Sequence, residues 1–530
     1  MTIRAACRSS VGNARVASVI RPEVATAVHA EVDLLDRIEA LRVRAIASLN
    51  TSTQARFGQY FTPRRAAELI AAMPRLPKSR SLRVLDPGAG SGMLMAAMIY
   101  RLVTDRAAQS IHVTAVELDE SILPMLHDAA QECVQWAERF GCDLTVDIKA
   151  EDFIDSRTGW DALSEDFYDL VVINPPYAKL PANSAYRHAL ISYGVDCPNL
   201  YAAFLTLGAD ALNEGGELVT ITPRSFANGP YFEQFRKFLL RTIALNRVHT
   251  FESRSTVFSD TGVLQENIVL SGTKGGERSK VRISVSNGHT DDAIEHVVPY
   301  EALINRDDRH QFLRLALGAE DILAADTMAS MPATLDDLNL KVSTGRVVDF
   351  RAHEKLRDEP DDECAPLIYP GNLQQGVVDW PRAIGKAQGF AIREESDHKA
   401  LVPPGCYVLV KRFSAKEETR RIVAAVWDPE VNGDSPVAVE NHLNVFHDHG
   451  NGLSREIARG LSIWLNSTIV DRFFRTFSGH TQVNATDLRT LRFPSFDSLS
   501  RMSGSAPRML PDQARVDRLV ESMIRLEMAQ

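Results

Sequence analysis

The tetrapeptide NPPY, residues 174–177, combines residue types that can hold a planar amino group. The side-chain amide of Asn174 offers a carbonyl oxygen as an acceptor. Pro175 and Pro176 fix the backbone and carry no N–H donor, so the carbonyl of Pro175 can serve as a second acceptor beside it. Tyr177 adds an aromatic face. Since NPPY follows the apolar run LVVI, we expect these groups at the end of a buried strand, where they would hold an exocyclic amine.

A glycine-rich segment, VLDPGAGSG at residues 84–92, has the composition of a turn between a strand and a helix. Asp86 closes the apolar run, and Gly88, Gly90 and Gly92 follow it. Glycines allow a sharp turn and a close approach of the backbone to a ligand. Taken alone, the segment fits a site for NAD, FAD or S-adenosylmethionine, and it also fits tight packing without a ligand.

An acidic residue follows the next apolar run. Glu117 stands in AVELDE, 25 residues after Gly92. A carboxylate at the tip of the second strand can accept hydrogen bonds from both hydroxyls of an adenosine ribose, in NAD or in S-adenosylmethionine. A solvated acid in a loop is the alternative.

Short apolar runs alternate with helical patterns through this half of the chain. The predicted strands are RVLDP (83–87), HVTAVELD (112–119), DLVVINPP (169–176) and GELVTITP (216–223). Helical patterns at 91–103 and 121–140 lie between them, and another at 32–49 precedes them. Strands that alternate with helices indicate an open, doubly wound α/β sheet. The functional groups above would then lie along one edge of that sheet.

The chain of 530 residues is too long for one ordinary core, and its texture changes along its length. We predict an N-terminal basic segment with a packing helix over residues 1–50 and a catalytic α/β domain over residues 51–275. A connecting region that contains one strand, KVRISVS, spans residues 276–335. A mixed α+β domain over residues 336–500 and a linker with a docking helix over residues 501–530 complete the chain.

Composition excludes several classes of protein. The chain is 45% hydrophobic and 24% charged, as in a globular protein. It has no apolar run near the ~20 residues that span a bilayer. Six scattered cysteines without a CxxC pair argue against a zinc ribbon or a disulfide scaffold and favour the cytoplasm. We expect no metal. A net charge of −10 argues against a protein that coats nucleic acid, but one local face can still bind it.

Five spaced motifs together carry a family resemblance: FGQYFTP (57–63), DPGAGSG (86–92), VELD (116–119), AEDF (150–153) and NPPY (174–177). Over residues 50–275 the chain resembles the γ-class adenine-N6 DNA methyltransferases. Stretches such as VSTGRVVDFR (342–351) and ENHLNVFH (440–447) also resemble the PstI/BsuBI-type modification methylases.

The resemblance implies S-adenosylmethionine as the cofactor. It places Phe61, Thr62, Asp86, Gly88, Gly90, Glu117, Asp152, Phe153 and Asn174 around that cofactor. The target adenine, swung out of the duplex, would be held by Asn174, Pro175, Pro176 and Tyr177. Phe258 would stack on its other face.

Double-stranded DNA is the implied partner, and a cognate restriction endonuclease would act on the same site. The loop after NPPY is rich in basic and aromatic residues, among them Lys179 and Arg187. The 336–500 domain would recognise the target sequence, a short palindrome by the same resemblance. Its candidate DNA-binding strip is Lys411, Arg412, Lys416, Arg420 and Arg421.

The sequence leaves other functions open. A methyltransferase acting on a protein glutamine or an RNA base could use the same acceptor pair. A nucleotide-dependent dehydrogenase would explain the glycine turn and Glu117 but neither Asp152 nor NPPY. A DNA-binding protein with a relic pocket and a fused nuclease are further alternatives. The intact NPPY argues against the first of these, and residues 1–56 are too short for the second.

Overall fold

The chain is described here from a computed structural model. The structure describes residues 33–48, 61–77, 79–159, 167–228, 230–251, 266–286, 288, 293–305, 308–315, 319–361, 363–414, 418–478, 481–504 and 509–528. The basic N-terminal segment, Phe258, Lys416 and the first four residues of FGQYFTP lie outside these ranges.

The first half of the chain forms one nine-stranded sheet with helices on both faces. Its strand order is β3-β2-β1-β4-β5-β7-β6-β8-β9. In chain order the elements are α1 Leu34–Ser48, α2 Arg64–Ala72, β1 Ser81–Pro87, α3 Met93–Thr104, β2 Ser110–Val116, α4 Leu123–Arg139, β3 Asp143–Lys149, α5 Phe153–Thr158, β4 Tyr168–Ile173, α6 Ala185–Tyr193, α7 Leu200–Asp210, β5 Leu212–Pro223, α8 Glu233–Thr242, β6 Ile243–Phe251, β7 Asn267–Lys274, β8 Lys280–Ser286, β9 Ile294–Pro299 and α9 Tyr300–Leu303.

The sheet is parallel from β3 through β5, which confirms the predicted α/β class. Strand β7 then runs antiparallel between β5 and β6, and β9 pairs antiparallel with β8 at the edge. The predicted strands are present as β1, β2, β4 and β5. Strand β3 was not predicted, because its side chains are mostly part-buried or exposed and it lacks the apolar run of a central strand.

Two apolar cores sandwich the sheet because its central strands are buried on both faces. Helices α1 to α4 pack on one face, around residues such as Ile70 and Met98. Helices α7 and α8 pack on the other face, around residues such as Leu205 and Phe235. The helices are the crossovers between parallel strands, so the carboxyl ends of the strands all meet at one edge of the sheet.

The second half of the chain forms a mixed α+β domain with a six-stranded sheet, ordered β10-β20-β17-β18-β14-β13, and a five-stranded sheet, ordered β11-β15-β12-β19-β16. Its elements are α10 Ala319–Ser330, β10 Lys341–Thr344, β11 Leu356–Arg357, β12 Cys364–Ile368, β13 Leu373–Gln374, β14 Val377–Val378, β15 Gly389–Ala391, β16 Leu401–Val402, β17 Tyr407–Lys411, β18 Ala424–Trp427, α11 Pro429–Asn432, β19 Val437–Val439, β20 Leu443–His447, α12 Arg455–Leu465, α13 Thr468–Phe477, α14 Ala485–Arg489, α15 Phe496–Gly504 and α16 Gln513–Glu527.

The domain boundaries differ from those that the sequence predicts. The catalytic sheet does not end at residue 275 but continues through β8 and β9. Residues such as Tyr300, Leu303 and Leu313 complete the core under α7 and α8, whereas α10 packs in the core of the second domain. The expected connecting region is therefore divided between the two domains. Helix α16 docks on the second domain through residues such as Val516, Val520 and Met523, as predicted.

Arg224 ties the two domains together. It follows β5, is buried, and donates from Nη2 to the carbonyls of Arg475 at 3.2 Å and Thr476 at 3.0 Å, in the last turn of α13. Its Nη1 lies 3.8 Å from the buried carboxylate of Glu266. A cation at the carboxyl end of a helix is favoured by the helix dipole.

No helix among the described residues has the length and apolar character needed to cross a bilayer. The five described cysteines are free thiols.

We predict that Arg224→Met lowers the free energy of unfolding by about 3 kcal/mol, because it removes buried hydrogen bonds from a charged group. Arg472→Met, on the same helix as the acceptor carbonyls, is the matched control. It removes half-exposed ion pairs with Glu320 and Asp321 and should cost less than about 1 kcal/mol. Urea unfolding measures both, and equal losses would contradict the role of Arg224.

Candidate active site

Four neighbouring strands, β1 to β4, end beside a single pocket of about 340 Å³. The residues that follow these strands and line the pocket include Gly88 and Gly90, Glu117, Asp152 and Asn174. The sequence predicted this grouping, because the carboxyl ends of parallel strands share one edge of the sheet.

The glycine turn forms one wall of the pocket. Gly88 and Gly90 have φ angles of +77° and +56°, a region that favours glycine. A Cβ atom on Gly90 would lie 3.0 Å from the ring of Phe61, and one on Gly88 would lie 3.3 Å from the ring of Phe204. Both rings line the pocket. The turn therefore needs glycine both for its backbone conformation and for the space that these aromatic rings occupy.

Glu117 is buried beside this turn. Its Oε2 accepts from the N–H of Gly90 at 2.8 Å, and its Oε1 accepts from the N–H of Asp119 at 2.8 Å. Burial raises the pKa of Glu117, while these backbone donors lower it. Since a carboxylate can accept about four hydrogen bonds, the side chain keeps acceptor capacity toward the pocket. That capacity suits the hydroxyls of a ribose.

Asp86 differs from its predicted place. It is buried at the end of β1 and is not among the described residues that line the pocket. Burial and the nearby charge of Glu117 raise the pKa of Asp86 to about 8, and its Oδ2 has no hydrogen-bond partner. A cationic group close to Asp86 would favour its ionised form. This buried acceptor fits a cofactor that carries positive charge.

The far end of the pocket is aromatic and acidic. The rings of Phe153 and Phe204 meet at 5.2 Å between centroids, and both line the pocket. Asp152 caps α5 by accepting from two backbone N–H groups. Its Oδ2 also accepts from the hydroxyl of Tyr186 at 2.5 Å. An apolar slot next to a carboxylate suits an adenine ring with an amino group.

Asn174 is half-buried, and its Nδ2 donates to the hydroxyl oxygen of Thr62 at 2.8 Å. Thr62 is itself buried on the segment that leads into α2. This hydrogen bond fixes the plane of the amide. Because the nitrogen is engaged, Oδ1 is the atom of the amide that can accept from an amine. Thr62 was predicted to contact the cofactor; it is not among the residues that line the pocket, and the structure makes it a partner of Asn174.

Tyr177 rests on a group of buried aromatic rings. It meets Tyr201 edge-on, with ring centroids 6.4 Å apart. Tyr201 in turn stacks on Phe232 at 5.5 Å, and its hydroxyl lies 3.1 Å from the hydroxyl of Ser225. This packing restricts Tyr177, which is not itself among the residues that line the pocket, although its neighbours Pro175 and Pro176 are. An aromatic ring held in this way can serve as a stacking platform.

Comparison with known proteins identifies the family. The Eco57I restriction-modification methylase family matches residues 114–258. Type II methyltransferase M.BsuBI of Bacillus subtilis is 38% identical over 88% of this chain and 93% of its own length. Type II methyltransferase M.PstI of Providencia stuartii is 35% identical over 95% of this chain and 99% of its own length.

The chain belongs to this family of type II DNA methyltransferases. A solved structure of the Type IIL restriction-modification enzyme MmeI in complex with DNA shares the fold, with a TM-score of 0.53 over 93% of this chain and 74% of that one, at 12% identity. The family assignment confirms the predicted resemblance and S-adenosylmethionine as the methyl donor, and it excludes the dehydrogenase alternative.

The two predicted DNA-binding residues of the loop after NPPY have different surroundings. Lys179 is exposed at the pocket lining. Arg187 instead forms a two-bond ion pair with Asp196, at 2.6 and 2.8 Å. This pair lowers the pKa of Asp196 and fastens α6 to the segment that follows it. Arg187 is therefore a structural residue of the loop in this arrangement.

One residue of the basic strip of the second domain is internal, contrary to the sequence prediction. Arg421 is 1% exposed and bonds to the hydroxyls of Ser414 and Ser478, so it cannot reach a phosphate. Arg420 donates to the carbonyl of Ser467 at 3.0 Å and also bonds to Gln513 on α16.

Arg420 is part-buried, and so are the two remaining described members of the strip. Lys411 pairs with Glu418 at 2.9 Å and is about one-third exposed. Arg412 donates to the carbonyl of Asn441 at 3.0 Å, and its guanidinium lies 5.8 Å from the ring centroid of the exposed Phe413. Lys416 lies outside the described residues.

Sequence reasoning missed two aromatic residues that the pocket uses. Phe204 lies on α7 in LYAAFLTLGAD, a run that is indistinguishable from an ordinary core helix. Tyr186 lies in the stretch after NPPY that was predicted to face DNA. Nothing in the sequence indicates its contact with Asp152. Only the fold brings these side chains together.

We predict that Gly90→Ala weakens the binding of S-adenosylhomocysteine about tenfold, which corresponds to about 1.4 kcal/mol for displacing Phe61. Gly141→Ala is the matched control: Gly141 has a φ of +70°, but a Cβ there meets nothing within 4 Å. Isothermal titration calorimetry measures the affinities. Both variants should lose similar stability through backbone strain, and unchanged affinity in Gly90→Ala would contradict the assignment of the turn.

Proposed function

We propose that this enzyme transfers a methyl group to N6 of an adenine that is extruded from duplex DNA, as the modification partner of a restriction endonuclease in the cytoplasm. The observation that carries the proposal is the hydrogen bond from Asn174 Nδ2 to Thr62, which sets the amide so that Oδ1 is the acceptor. An acceptor beside the cofactor pocket suits an amine donor, and adenine N6 is such an amine.

In this reaction the chain aligns the adenine amine with the methyl group and polarises that amine. The N6 lone pair of adenine is delocalised into the ring, which makes the amine a poor nucleophile. Acceptors at Asn174 Oδ1 and at the Pro175 carbonyl, one for each N6 hydrogen, would raise the electron density on nitrogen. The bound cofactor supplies a methyl group on a sulfonium. Orientation of the amine can lower the barrier by several kcal/mol.

The target base must leave the duplex to reach this pocket, at a cost of a few kcal/mol. Stacking on Tyr177 would return roughly 1–3 kcal/mol. Tyr177 is held for this by its edge-on contact with Tyr201. Lys179 is exposed at the pocket lining, where its charge would suit a phosphate of the extruded strand.

Recognition of the target sequence belongs to the second domain in this proposal. Lys411, Arg412 and Arg420 are the part-buried members of the predicted strip. Arg420 is bonded to Gln513 on α16, so Lys411 and Arg412 are the candidate contacts. The exposed Phe413 and the half-exposed His442 lie beside Arg412, with the two rings 4.8 Å apart. This cluster is our candidate DNA contact of the domain.

We predict that Asn174→Ala abolishes transfer but keeps cofactor binding. Wild-type enzyme and labelled S-adenosylmethionine, incubated with DNA that lacks adenine methylation, should yield labelled N6-methyldeoxyadenosine by nucleoside mass spectrometry. The variant should lose at least about a hundredfold in rate and bind S-adenosylhomocysteine normally.

Asn213→Ala is the control for loss of a side-chain amide. Asn213 bonds to Asp169 at the opposite end of the sheet, so its removal should leave transfer intact. Label on cytosine, RNA or protein would overturn the proposal. Weaker cofactor binding with normal turnover at saturation would overturn the role of Asn174.

We predict a second effect on turnover at Thr62. Thr62→Val keeps the shape of the side chain but removes the hydroxyl that accepts from Asn174, so kcat should fall about tenfold, as expected for the loss of one positioning hydrogen bond. Thr62→Ser should restore most of kcat. Equal kcat in both variants would show that the hydroxyl does not set the amide.

A further inference from the structure

Tyr186 bonds to Asp152 at the pocket, and this contact has no part in the proposed methyl transfer. Tyr186 lies in the first turn of α6, twelve residues after Asn174, and it lines the pocket. Its hydroxyl donates to Asp152 Oδ2 at 2.5 Å. This hydrogen bond raises the pKa of the Tyr186 hydroxyl, which therefore stays protonated and remains a donor near neutral pH.

We propose that Tyr186 is a positioning residue that selects the adenine base of the cofactor by fixing the carboxylate of Asp152. The proposal rests on the role of Asp152 at the cofactor's amino group. A carboxylate has roughly four acceptor positions. Oδ1 accepts from the N–H groups of Ile154 at 2.8 Å and Asp155 at 3.0 Å, and Tyr186 takes one position on Oδ2. The position that remains on Oδ2 is the one available to a ligand amine.

The helix that carries Tyr186 is held independently of the cofactor. The hydroxyl of Ser184 caps α6 by accepting from the N–H of Arg187 at 3.2 Å. The guanidinium of Arg187 then forms its two-bond ion pair with Asp196. A residue next to such an anchor presents its hydroxyl from a fixed place, so Asp152 is oriented before a ligand arrives. Pre-organisation of this kind increases affinity because less order must be gained on binding.

The proposal predicts a change in ligand discrimination. Without the Tyr186 hydroxyl, Oδ1 of Asp152 stays bonded to the backbone of Ile154 and Asp155, but Oδ2 loses its donor from Tyr186. Its remaining acceptor position is then no longer held where the ligand amine needs it. The test compares S-adenosylhomocysteine with S-inosylhomocysteine, in which an oxygen replaces the adenine amino group. Only the first ligand can donate to Asp152 from that position.

The experiment is calorimetric titration of both ligands into the full-length protein without DNA. Tyr186→Phe should weaken S-adenosylhomocysteine binding about tenfold and leave S-inosylhomocysteine binding within about twofold of wild type. Tyr193→Phe is the matched control, because it removes a tyrosine–aspartate hydrogen bond, to Asp210, from the same helix. It should leave the ratio of the two affinities unchanged.

A double-mutant cycle separates positioning through Asp152 from a general structural role. In an Asp152→Asn background, Tyr186→Phe should have no further effect on the ratio of affinities. Equal losses for both ligands, an unchanged ratio, or a full effect in the Asp152→Asn background would overturn the proposal. If Tyr186→Phe does not fold, an unchanged ratio in Asp152→Asn alone would overturn it.

This titration is independent of the methylated base. Methylation of a base other than adenine would overturn the proposed function while the binding ratios still stood. Normal N6 methylation with an unchanged ratio would overturn only the role of Tyr186.

Discussion

One hydrogen bond, from the amide nitrogen of Asn174 to the hydroxyl of Thr62, sets how the pocket can hold a substrate. It joins two segments that are 112 residues apart. An asparagine at the end of a strand could turn either amide atom toward a ligand. Because the amide nitrogen donates to Thr62, the amide presents its oxygen, Oδ1, to the ligand. Oδ1 accepts hydrogen bonds, so the site suits an amine substrate, which donates them. The segment at Phe61 and Thr62 thus shapes both halves of the site, since Phe61 packs against the glycine turn.

The parallel sheet explains why so few residues are enough. Because β1 to β4 end at the same edge, the glycine turn, Glu117, Asp152 and Asn174 come together without long loops. Backbone N–H groups hold both oxygens of Glu117 and Oδ1 of Asp152, while Tyr186 donates to Oδ2 of Asp152. The second domain is joined to this sheet through Arg224, which links the site to the domain that would read the DNA.

The sequence was sufficient to predict the α/β class and part of the catalytic sheet, because these follow from local patterns. Apolar runs mark β1, β2, β4 and β5, and the first three are followed by residues that line the pocket, whereas β3 has no such run. It was insufficient where burial depends on distant partners. Arg421 stands in a basic run but is buried by Ser478 and Phe474, more than fifty residues away. Tyr186 looked like a DNA contact, and Arg187 beside it likewise, until the fold placed Asp152 and Asp196 next to them.

The central claim is that Asn174 holds the amino group of an extruded adenine. The most direct measurement is a crystal structure of the enzyme with S-adenosylhomocysteine and a duplex that contains its target. The account predicts an adenine outside the helix, with N6 within hydrogen-bond distance of Asn174 Oδ1 and the ring of Tyr177 stacked on the base. A target base that stays paired in the duplex, or one whose amine points away from Asn174, would contradict it.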